Sequence, residues 1–305
     1  MEPLPMPSWQ SYLVHPLLRL MVQRRLARVS TIEQARTVFN GVKPAKVPGV
    51  TFTTGQMGGI PGEWAHGHQK YSGVMLYLHG GGYFACTPET YRPITGGFAR
   101  HGFNLFAPDY RLAPEHPYPA AIEDALEAYR ALLTLYSPGQ LIVAGDSAGG
   151  GLALSLLLAA KKACLPQPAG VILFSPWTDL AITGPSIKTN ARRESLLVSE
   201  RLEEAAALYL GDADPRTPMA SPLYGDLSDL PPLFIQVSDR EILLDDSVRV
   251  AEKIRAAGGM VQLQIWPNLP HVWQIGQNIL PEAKKALKQA ADFAVITLAS
   301  HPATA

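Results

Sequence analysis

The chain has 305 residues, of which 47% are hydrophobic and 17% are charged, a composition typical of a globular protein with a large buried core. Its 26 basic and 26 acidic side chains balance, so no strong net field would attract a nucleic acid or an anionic membrane. We therefore expect its partner to be a small, uncharged molecule.

The first 41 residues differ in pattern from most of the chain. A basic amphipathic helix is predicted at 17–29, and its arginines are interpreted as a solvated face, not as a membrane anchor. The apolar stretch is interrupted and the basic residues follow it, so the segment lacks the layout of a secretory leader. Together with residues 180–220, which include a predicted helix at 200–210, residues 1–41 are interpreted as a cap. A helix that packs on the sheet or stays in solvent is the alternative.

The rest of the chain alternates short apolar runs with longer helical patterns, which is typical of βαβ units and a mostly parallel sheet. Strands are predicted at 74–78, 104–107, 141–144, 171–174, 233–237 and 261–265. Helices are predicted at 120–136, 150–163, 247–257 and 282–299. Residues 50–54 and 63–66 are predicted to pair as an edge hairpin, with 55–62 as the turn. We expect a single α/β domain with its core at 42–179 and 221–305.

One predicted strand runs directly into Gly-Asp-Ser-Ala-Gly-Gly at 145–150 and then into a helix. A Gly-x-Ser-x-Gly pattern in this context is typical of a nucleophile elbow, a sharp turn that exposes a serine hydroxyl above the sheet. The residues two before and two after the serine touch in such a turn, so glycine at 145 and 149 avoids a clash. We therefore predict Ser147 as a nucleophile. A tight loop in which Ser147 caps the helix is the alternative, while a phosphate-binding loop would need Gly-Lys-Ser/Thr.

Three consecutive glycines follow another predicted strand, directly after His79. A serine that attacks a carbonyl group needs donors for the oxyanion that forms, and backbone N–H groups of glycines can approach that oxygen closely. We predict the N–H groups of Gly81, Gly82 and Ala148, which begins the elbow helix, as the oxyanion hole. A flexible hinge is the alternative for the glycines, and His79 is interpreted as structural support.

Several motifs occur in order along the chain. They are His-Gly-Gly-Gly at 79–82, Tyr-Arg-Leu-Ala-Pro-Glu-His-Pro at 110–117, Gly-Asp-Ser-Ala-Gly-Gly at 145–150, Ser-Pro-Trp at 175–177 with Asp-Leu at 179–180, Ser-Pro-Leu at 221–223, Leu-Pro-Pro at 230–232 and Leu-Pro-His at 269–271. This set resembles the bacterial hormone-sensitive-lipase-like family of α/β-hydrolase carboxylesterases. The resemblance implies an eight-stranded, mostly parallel sheet flanked by helices, with a helical cap. It also implies hydrolysis of short-acyl esters through an acyl-enzyme, without a metal or cofactor.

His271 follows the last predicted strand in a proline-bounded loop, where the chain order of this hydrolase class places the general base and acid. Burial without a catalytic role is the alternative. Six other histidines are interpreted as surface or loop residues: His15, His66, His68, His101, His116 and His301.

The carboxylate that orients the base is expected after the strand at 233–237. Candidates are Asp239, Glu241, Asp245 and Asp246. The last two precede a predicted helix and are interpreted as its caps. The resemblance puts Glu241 at the acid position, with Asp239 as the alternative.

The same fold also supports other functions. An amidase or lactonase would use the same triad, although nothing visible supplies a pocket for an extended amide. A hydrolase-fold ligand receptor would have lost the base, whereas Ser147 and His271 are both present. A lipase acting on micellar fat would need a large apolar lid, and residues 1–41 are too basic and too interrupted by proline to indicate one.

The location of the protein is inferred from what the sequence lacks. Cys86 and Cys164 are too few for a disulfide framework and do not form a zinc motif. No apolar run approaches the length of a membrane span. We expect a cytoplasmic protein that acts without a membrane, and self-association is left open.

Overall fold

The fold is known from a computed structural model that describes residues 6–41, 46–68 and 73–300. Residues 1–5 of the predicted cap, two short stretches of the predicted core (42–45 and 69–72), and His301 lie outside the described residues. The described chain contains an eight-stranded sheet in the order β1-β2-β4-β3-β5-β6-β7-β8. β2 is antiparallel to β1 and β4, whereas the remaining neighbours are parallel. The predicted α/β-hydrolase architecture is thus confirmed.

The strands are β1 (Val50–Met57), β2 (Ile60–Gly67), β3 (Val74–Leu78), β4 (Asn104–Pro108), β5 (Leu141–Asp146), β6 (Gly170–Phe174), β7 (Leu233–Ser238) and β8 (Val261–Trp266). The α-helices are α1 (Trp9–Leu18), α2 (Arg24–Leu26), α3 (Ile32–Asn40), α4 (Arg92–Arg100), α5 (Ala120–Leu133), α6 (Ser147–Lys162), α7 (Ser186–Thr189), α8 (Leu202–Leu210), α9 (Leu244–Ala256) and α10 (Pro281–Ala299). No helix among the described residues is long and apolar enough to cross a bilayer.

Helices cover both faces of the sheet. The core on one face includes side chains of α5, α6 and α9, and the core on the other includes those of α4 and α10. β3, β5, β6 and β7 are buried along their whole length, as expected for parallel strands between two helical layers. Their uninterrupted apolar runs made these strands predictable.

The predicted edge hairpin is present, but its strands are longer than expected. β1 and β2 pair as far as Met57 and Ile60, so the turn contains only Gly58 and Gly59. Both glycines have positive φ values, 58° and 79°, as a two-residue hairpin turn of this kind requires. The predicted turn at 55–62 was too long because it included six residues that belong to β1 and β2.

Helix α4 was not predicted. Its sequence contains Pro93, Gly96 and Gly97, which favour neither a helix nor a strand. A Cβ on Gly96 would lie 2.8 Å from the side chain of Val47, and one on Gly97 would lie 3.0 Å from that of Leu287. These glycines allow close packing of α4, so tertiary contacts override its low helix propensity.

The N-terminal helix begins earlier than the predicted residue 17. α1 starts at Trp9 and continues through Pro16, then through a π-helical turn at Arg19–Gln23, into α2. The interpretation of His15 as a surface or loop residue was wrong, because it is buried within α1. Burial lowers the pKa of His15 to about 4, so this imidazole is neutral near pH 7.

Candidate active site

The sharp turn between β5 and α6 places Ser147 above the sheet. Ser147 is the first residue of α6 and has a φ of 52°, a left-handed conformation that residues other than glycine rarely adopt. A Cβ on Gly145 would lie 2.4 Å from the carbonyl oxygen of Gly149, and one on Gly149 would lie 2.1 Å from that of Leu78. The backbone can therefore make this turn only with glycine at both positions.

Ser147, His271 and Glu241 are brought together from three separate loops. The Ser147 hydroxyl oxygen lies 2.9 Å from His271 Nε2, and His271 Nδ1 lies 2.6 Å from Glu241 Oε2. The other oxygen of Glu241 accepts hydrogen bonds from the Ser175 hydroxyl at 2.8 Å and the Ser238 N–H at 2.7 Å. With Glu241 fixed by these donors, Nδ1–H can donate to the carboxylate and leave Nε2 free to accept the serine proton.

For both His271 and Glu241, burial and the neighbouring charge shift the pKa in opposite directions. Burial alone lowers the pKa of His271, but the hydrogen bond and negative charge of Glu241 outweigh it and raise this pKa above its usual value. Burial raises the pKa of Glu241, and the hydrogen bond with His271 opposes that rise. The pair therefore favours an imidazolium, the species that a proton transfer from Ser147 to His271 would produce.

The alternative acid, Asp239, lies apart from this arrangement. Its Oδ2 pairs with Arg193 at 2.9 Å, and its Oδ1 accepts a hydrogen bond from the Asn268 N–H at 2.8 Å. The Asp239 side chain is 39% exposed, whereas that of Glu241 is completely buried. Asp239 thus supports the loop before His271 without touching its ring.

The prediction that Asp245 and Asp246 precede and cap a helix was wrong, although their negative charge does lie at the N-terminal end of that helix, where it suits the dipole. α9 begins at Leu244, so both residues lie inside its first turn. Asp245 accepts a hydrogen bond from the Ser186 N–H, and Asp246 accepts bonds from two consecutive N–H groups that follow Trp177. The two carboxylates thereby attach the segment that follows β6 to helix α9. Local spacing in the sequence does not reveal this long-range contact.

The glycine loop after β3 faces the same space as Ser147. Gly81 and Gly82 have φ values of 112° and 63°, and a Cβ on Gly81 would lie 2.2 Å from the carbonyl oxygen of Ala85. Ala148 is the second residue of α6, where backbone N–H groups have no partner within the helix and the helix dipole favours negative charge. This geometry can present N–H groups to an oxygen that becomes negatively charged beside Ser147.

A buried polar cluster supports the glycine loop from below. Asp146 Oδ1 accepts hydrogen bonds from the Gly80 N–H at 3.1 Å and the Tyr77 hydroxyl at 2.7 Å. Burial raises the pKa of Asp146 to about 7. The ring of His79 stacks on that of Tyr110, with 4.3 Å between the ring centroids, and burial lowers the pKa of His79 to about 4. The motif comparison did not assign a role to Asp146, because nothing local shows that its side chain reaches back to the glycine loop.

A cavity of about 630 Å³ opens beside Ser147 and His271. Its wall includes Val22, Leu26, Ala35, Val38 and Phe39 from the N-terminal segment, and Leu196, Leu197, Val198, Leu202, Ala205 and Leu208 from the stretch after β6. Both stretches interpreted as a cap therefore line the cavity. The lining is mostly apolar, which suits a hydrocarbon group more than a charged one.

Glu194 is a second buried carboxylate near the site, and the sequence did not single it out. Its Oε1 accepts hydrogen bonds from the N–H groups of Ser195 at 2.7 Å and Leu196 at 2.8 Å. Its Oε2 accepts a longer one, 3.3 Å, from the N–H of Ile242, the residue after Glu241. Glu194 therefore connects the cavity wall with the loop that carries Glu241, and its negative charge also helps to raise the pKa of His271.

The N-terminal segment is bound to the same wall. Arg19 and Gln23 donate hydrogen bonds to backbone carbonyls of residues 192–197. His15 Nδ1 lies 2.8 Å from the Ser195 hydroxyl. In the part of the chain that the structure describes, no group of three or more His, Cys, Asp or Glu side chains is placed to hold a metal ion.

The chain is similar to known proteins along most of its length. Residues 75–275 match a family model described as the alpha/beta hydrolase fold. An acetyl-hydrolase from Streptomyces hygroscopicus is 38% identical over 296 residues, which cover 94% of this chain and 97% of the relative. An esterase from Acinetobacter venetianus is 34% identical, over 94% of this chain and 96% of the relative.

Solved structures give the same result. An esterase from the bacterial hormone-sensitive lipase family is 37% identical with a TM-score of 0.89, and the match covers 96% of this chain and 100% of the other. A hormone-sensitive lipase from a metagenome library is 35% identical with a TM-score of 0.90, over the same fractions of the two chains.

The protonation of His271 should control the reactivity of Ser147. We expect the rate at which a fluorophosphonate labels Ser147 to fall as pH decreases through the pKa of His271, because the imidazolium cannot accept the serine proton. Since Glu241 raises this pKa, Glu241→Gln should move the fall in rate to lower pH. The measurement is the pseudo-first-order labelling rate between pH 5 and 9.

Ser147→Ala is the control for this measurement and should not be labelled at any pH. A labelling rate that stays constant from pH 5 to 8 in the parent protein would contradict a histidine base. An unchanged profile in Glu241→Gln would contradict the electrostatic role of Glu241.

Proposed function

This chain belongs to the α/β-hydrolase family, among its bacterial hormone-sensitive-lipase-like carboxylesterases, and from this premise we propose that Ser147, His271 and Glu241 hydrolyse short-acyl esters. The observation that carries the proposal is the continuous line of hydrogen-bond contacts from Ser147 through His271 to Glu241, next to the glycine loop. An isolated elbow serine would have no group to accept its proton. Here a fixed imidazole is in contact with it.

In the first half of the reaction, Ser147 Oγ attacks the ester carbonyl carbon while His271 Nε2 accepts its proton. The carbonyl π electrons move to oxygen, and the N–H groups of Gly81, Gly82 and Ala148 stabilise the oxyanion. As the intermediate collapses, the bond to the alkoxy oxygen breaks and His271 returns the proton to the leaving alcohol. The acyl group remains on Ser147.

In the second half, a water molecule attacks the acyl carbon and His271 accepts one of its protons. The new oxyanion occupies the same donors, and collapse releases the carboxylic acid and returns the proton to Ser147. Throughout, Glu241 keeps Nδ1–H directed at its carboxylate and stabilises the imidazolium. The chemistry needs no group besides these residues and water.

An acyl chain fits the apolar cavity beside Ser147. The volume of about 630 Å³ lies within the usual range of small-molecule pockets, roughly 300 to 1,000 Å³. Its wall, contributed by residues 22–39 and 196–208, limits the length of chain that can enter. We therefore infer a preference for acyl chains of about two to eight carbons.

The charge balance and the two cysteines of the enzyme bear on its partner and its location. Its partner is a small-molecule ester and not a nucleic acid, in keeping with the balanced charge of the chain. Cys86 and Cys164 are free thiols, which supports a reducing, cytoplasmic location. An amidase would use the same residues, and comparison of an anilide with the matching ester separates the two activities.

Two substitutions should distinguish Glu241 from Asp239. Glu241→Gln presents an amide to His271 Nδ1 and favours the wrong tautomer, and the comparable change in another serine hydrolase lowers kcat by about 10⁴. Asp239→Asn retains an oxygen that can accept from the Asn268 N–H, so its kcat on p-nitrophenyl butyrate should stay within about tenfold of the parent.

Asp226→Asn, which removes the more exposed carboxylate partner of Lys161 outside the cavity lining, is the control for loss of a surface ion pair and should have the parent kcat. Melting temperatures of all three variants separate lost folding from lost chemistry. A loss of thousands-fold in Asp239→Asn, with Glu241→Gln within about tenfold, would assign the acid to Asp239 instead.

The rate should depend on acyl length through the volume of the cavity. Ala205 lines the cavity from α8, so Ala205→Phe should fill part of it and shift the optimum to shorter acyl chains. Ala207 is on the same helix but is exposed, so Ala207→Phe should leave the optimum unchanged. The measurement is kcat/KM for p-nitrophenyl esters from acetate to palmitate, with p-nitrobutyranilide as the amide. Equal rates for butyrate and palmitate, or preference for the anilide, would refute this substrate class.

A further inference from the structure

α1 carries an apolar face on the outside of the protein. Six large hydrophobic side chains of α1 and of the π-helical turn that follows it, together with one that precedes the helix, are between 48% and 89% exposed. They are Met6, Trp9, Tyr12, Leu13, Leu17, Leu20 and Met21. Within the continuous helix that runs from Trp9 to Leu26, most of these residues have another member of the set three or four positions away, which places them along one broad side. We call this set the outer face of α1.

The inward side of the same helix is polar where it meets the body of the protein. Ser11 is completely buried, and its hydroxyl lies 3.1 Å from Asn268 Nδ2. His15 is buried against Ser195, and Arg19 donates to the carbonyls of residues 192–194. Val14 also packs inward against a buried apolar cluster, but most of the large apolar side chains of α1 face outward, whereas a surface helix usually buries its apolar side. Because polar contacts hold it in place, the outer face is a fixed feature of the surface.

The charge next to the outer face is positive. Arg24, Arg25 and Arg28 follow it and are exposed. Residues 6–32 contain no Asp or Glu that could neutralise them locally, although the whole chain has no net charge. Exposed Arg192 adds a further cation near Arg19, which hydrogen-bonds to its carbonyl oxygen. Apolar side chains bordered by arginines match a lipid surface with anionic headgroups.

This surface is continuous with the mouth of the cavity. Val22 and Leu26 belong to the same helical run and line the cavity. Ile275 and Ile279 also line it, and they are 39% and 67% exposed. A molecule dissolved in a lipid surface that contacts the outer face would therefore meet an apolar path to Ser147.

We propose that the outer face of α1, with Arg24, Arg25 and Arg28, is a docking surface for membranes that contain anionic lipid. The sequence alone predicts only a solvated role for these arginines and no membrane partner. The structure adds the exposed apolar face, which composition could not reveal. A second copy of the chain is a less suitable occupant, because its own arginines would add to the positive charge instead of neutralising it.

Trp9 provides the reporter for a direct test. It is 69% exposed, whereas Trp177, Trp266 and Trp273 are buried and Trp64 is partly buried. We expect the full chain to co-sediment with vesicles of phosphatidylcholine and phosphatidylglycerol, and its tryptophan emission to shift to shorter wavelength. Vesicles of phosphatidylcholine alone should bind at least about tenfold more weakly, since each arginine near an anionic surface contributes roughly fivefold.

Two variants separate the apolar contribution to vesicle binding from the electrostatic contribution. One variant combines Leu13→Ser with Leu17→Ser, and the other combines Arg24→Ser, Arg25→Ser and Arg28→Ser. Each variant should weaken binding to the anionic vesicles by about tenfold or more. Neither variant changes a cavity-lining residue, so hydrolysis of dissolved p-nitrophenyl butyrate should stay at the parent rate. Leu135→Ser with Ile296→Ser removes exposed apolar side chains elsewhere and should bind like the parent.

Absence of binding to anionic vesicles at low salt would overturn the proposal. Equal loss of binding in the Leu135 and Ile296 control would also overturn it, because the interaction would not be specific to α1. A vesicle-free dimer that buries Trp9 and is abolished by the Leu13 and Leu17 changes would show that a second copy covers this face instead. All these readouts are independent of which ester the enzyme hydrolyses.

Discussion

The active site depends on one constraint, the sharp backbone turn at which β5 becomes α6. The turn holds Ser147 at a positive φ and brings the backbone of Gly149 against Leu78 at the end of β3. Because β3 and β5 are neighbouring parallel strands, the glycine loop and the serine emerge at the same edge of the sheet. Side chains larger than hydrogen at 145 or 149 would separate these elements. The core of the sheet therefore positions both the proposed nucleophile and the proposed oxyanion donors.

The arrangement of the site depends also on buried polar contacts between the loop that carries Glu241 and the cavity wall. Glu194 joins the wall at Leu196 to the N–H after Glu241, and Asn190 donates to the Glu241 carbonyl oxygen at 2.8 Å. Arg19 adds the N-terminal helix to the same assembly. Buried polar groups of this kind cost free energy when they lose their partners, so they specify one arrangement. The position of Glu241, the proposed triad acid, and the shape of the cavity are thus coupled.

The sequence predicted the parts of this structure that local patterns encode. Fully buried parallel strands appear as continuous apolar runs, and the elbow has a fixed glycine spacing. Glu241 could not be separated from Asp239 by local pattern, and only the family resemblance favoured it. α4, the burial of His15 and the role of Glu194 were not predicted, because each depends on contacts between distant segments. Glu194 and Ile242 are 48 residues apart, and Asp246 accepts from an N–H 68 residues away.

As the proposed nucleophile, Ser147 should become covalently acylated while it contacts His271, which in turn contacts Glu241. The most direct test is to mix the enzyme with p-nitrophenyl butyrate, quench the reaction in acid within milliseconds, and locate the butyryl group by peptide mass spectrometry. We predict a butyryl ester on Ser147 that forms together with the first equivalent of p-nitrophenol and disappears when the substrate is exhausted. A butyryl group on another residue, or turnover with no covalent adduct under conditions that trap a Ser147 ester, would contradict this account.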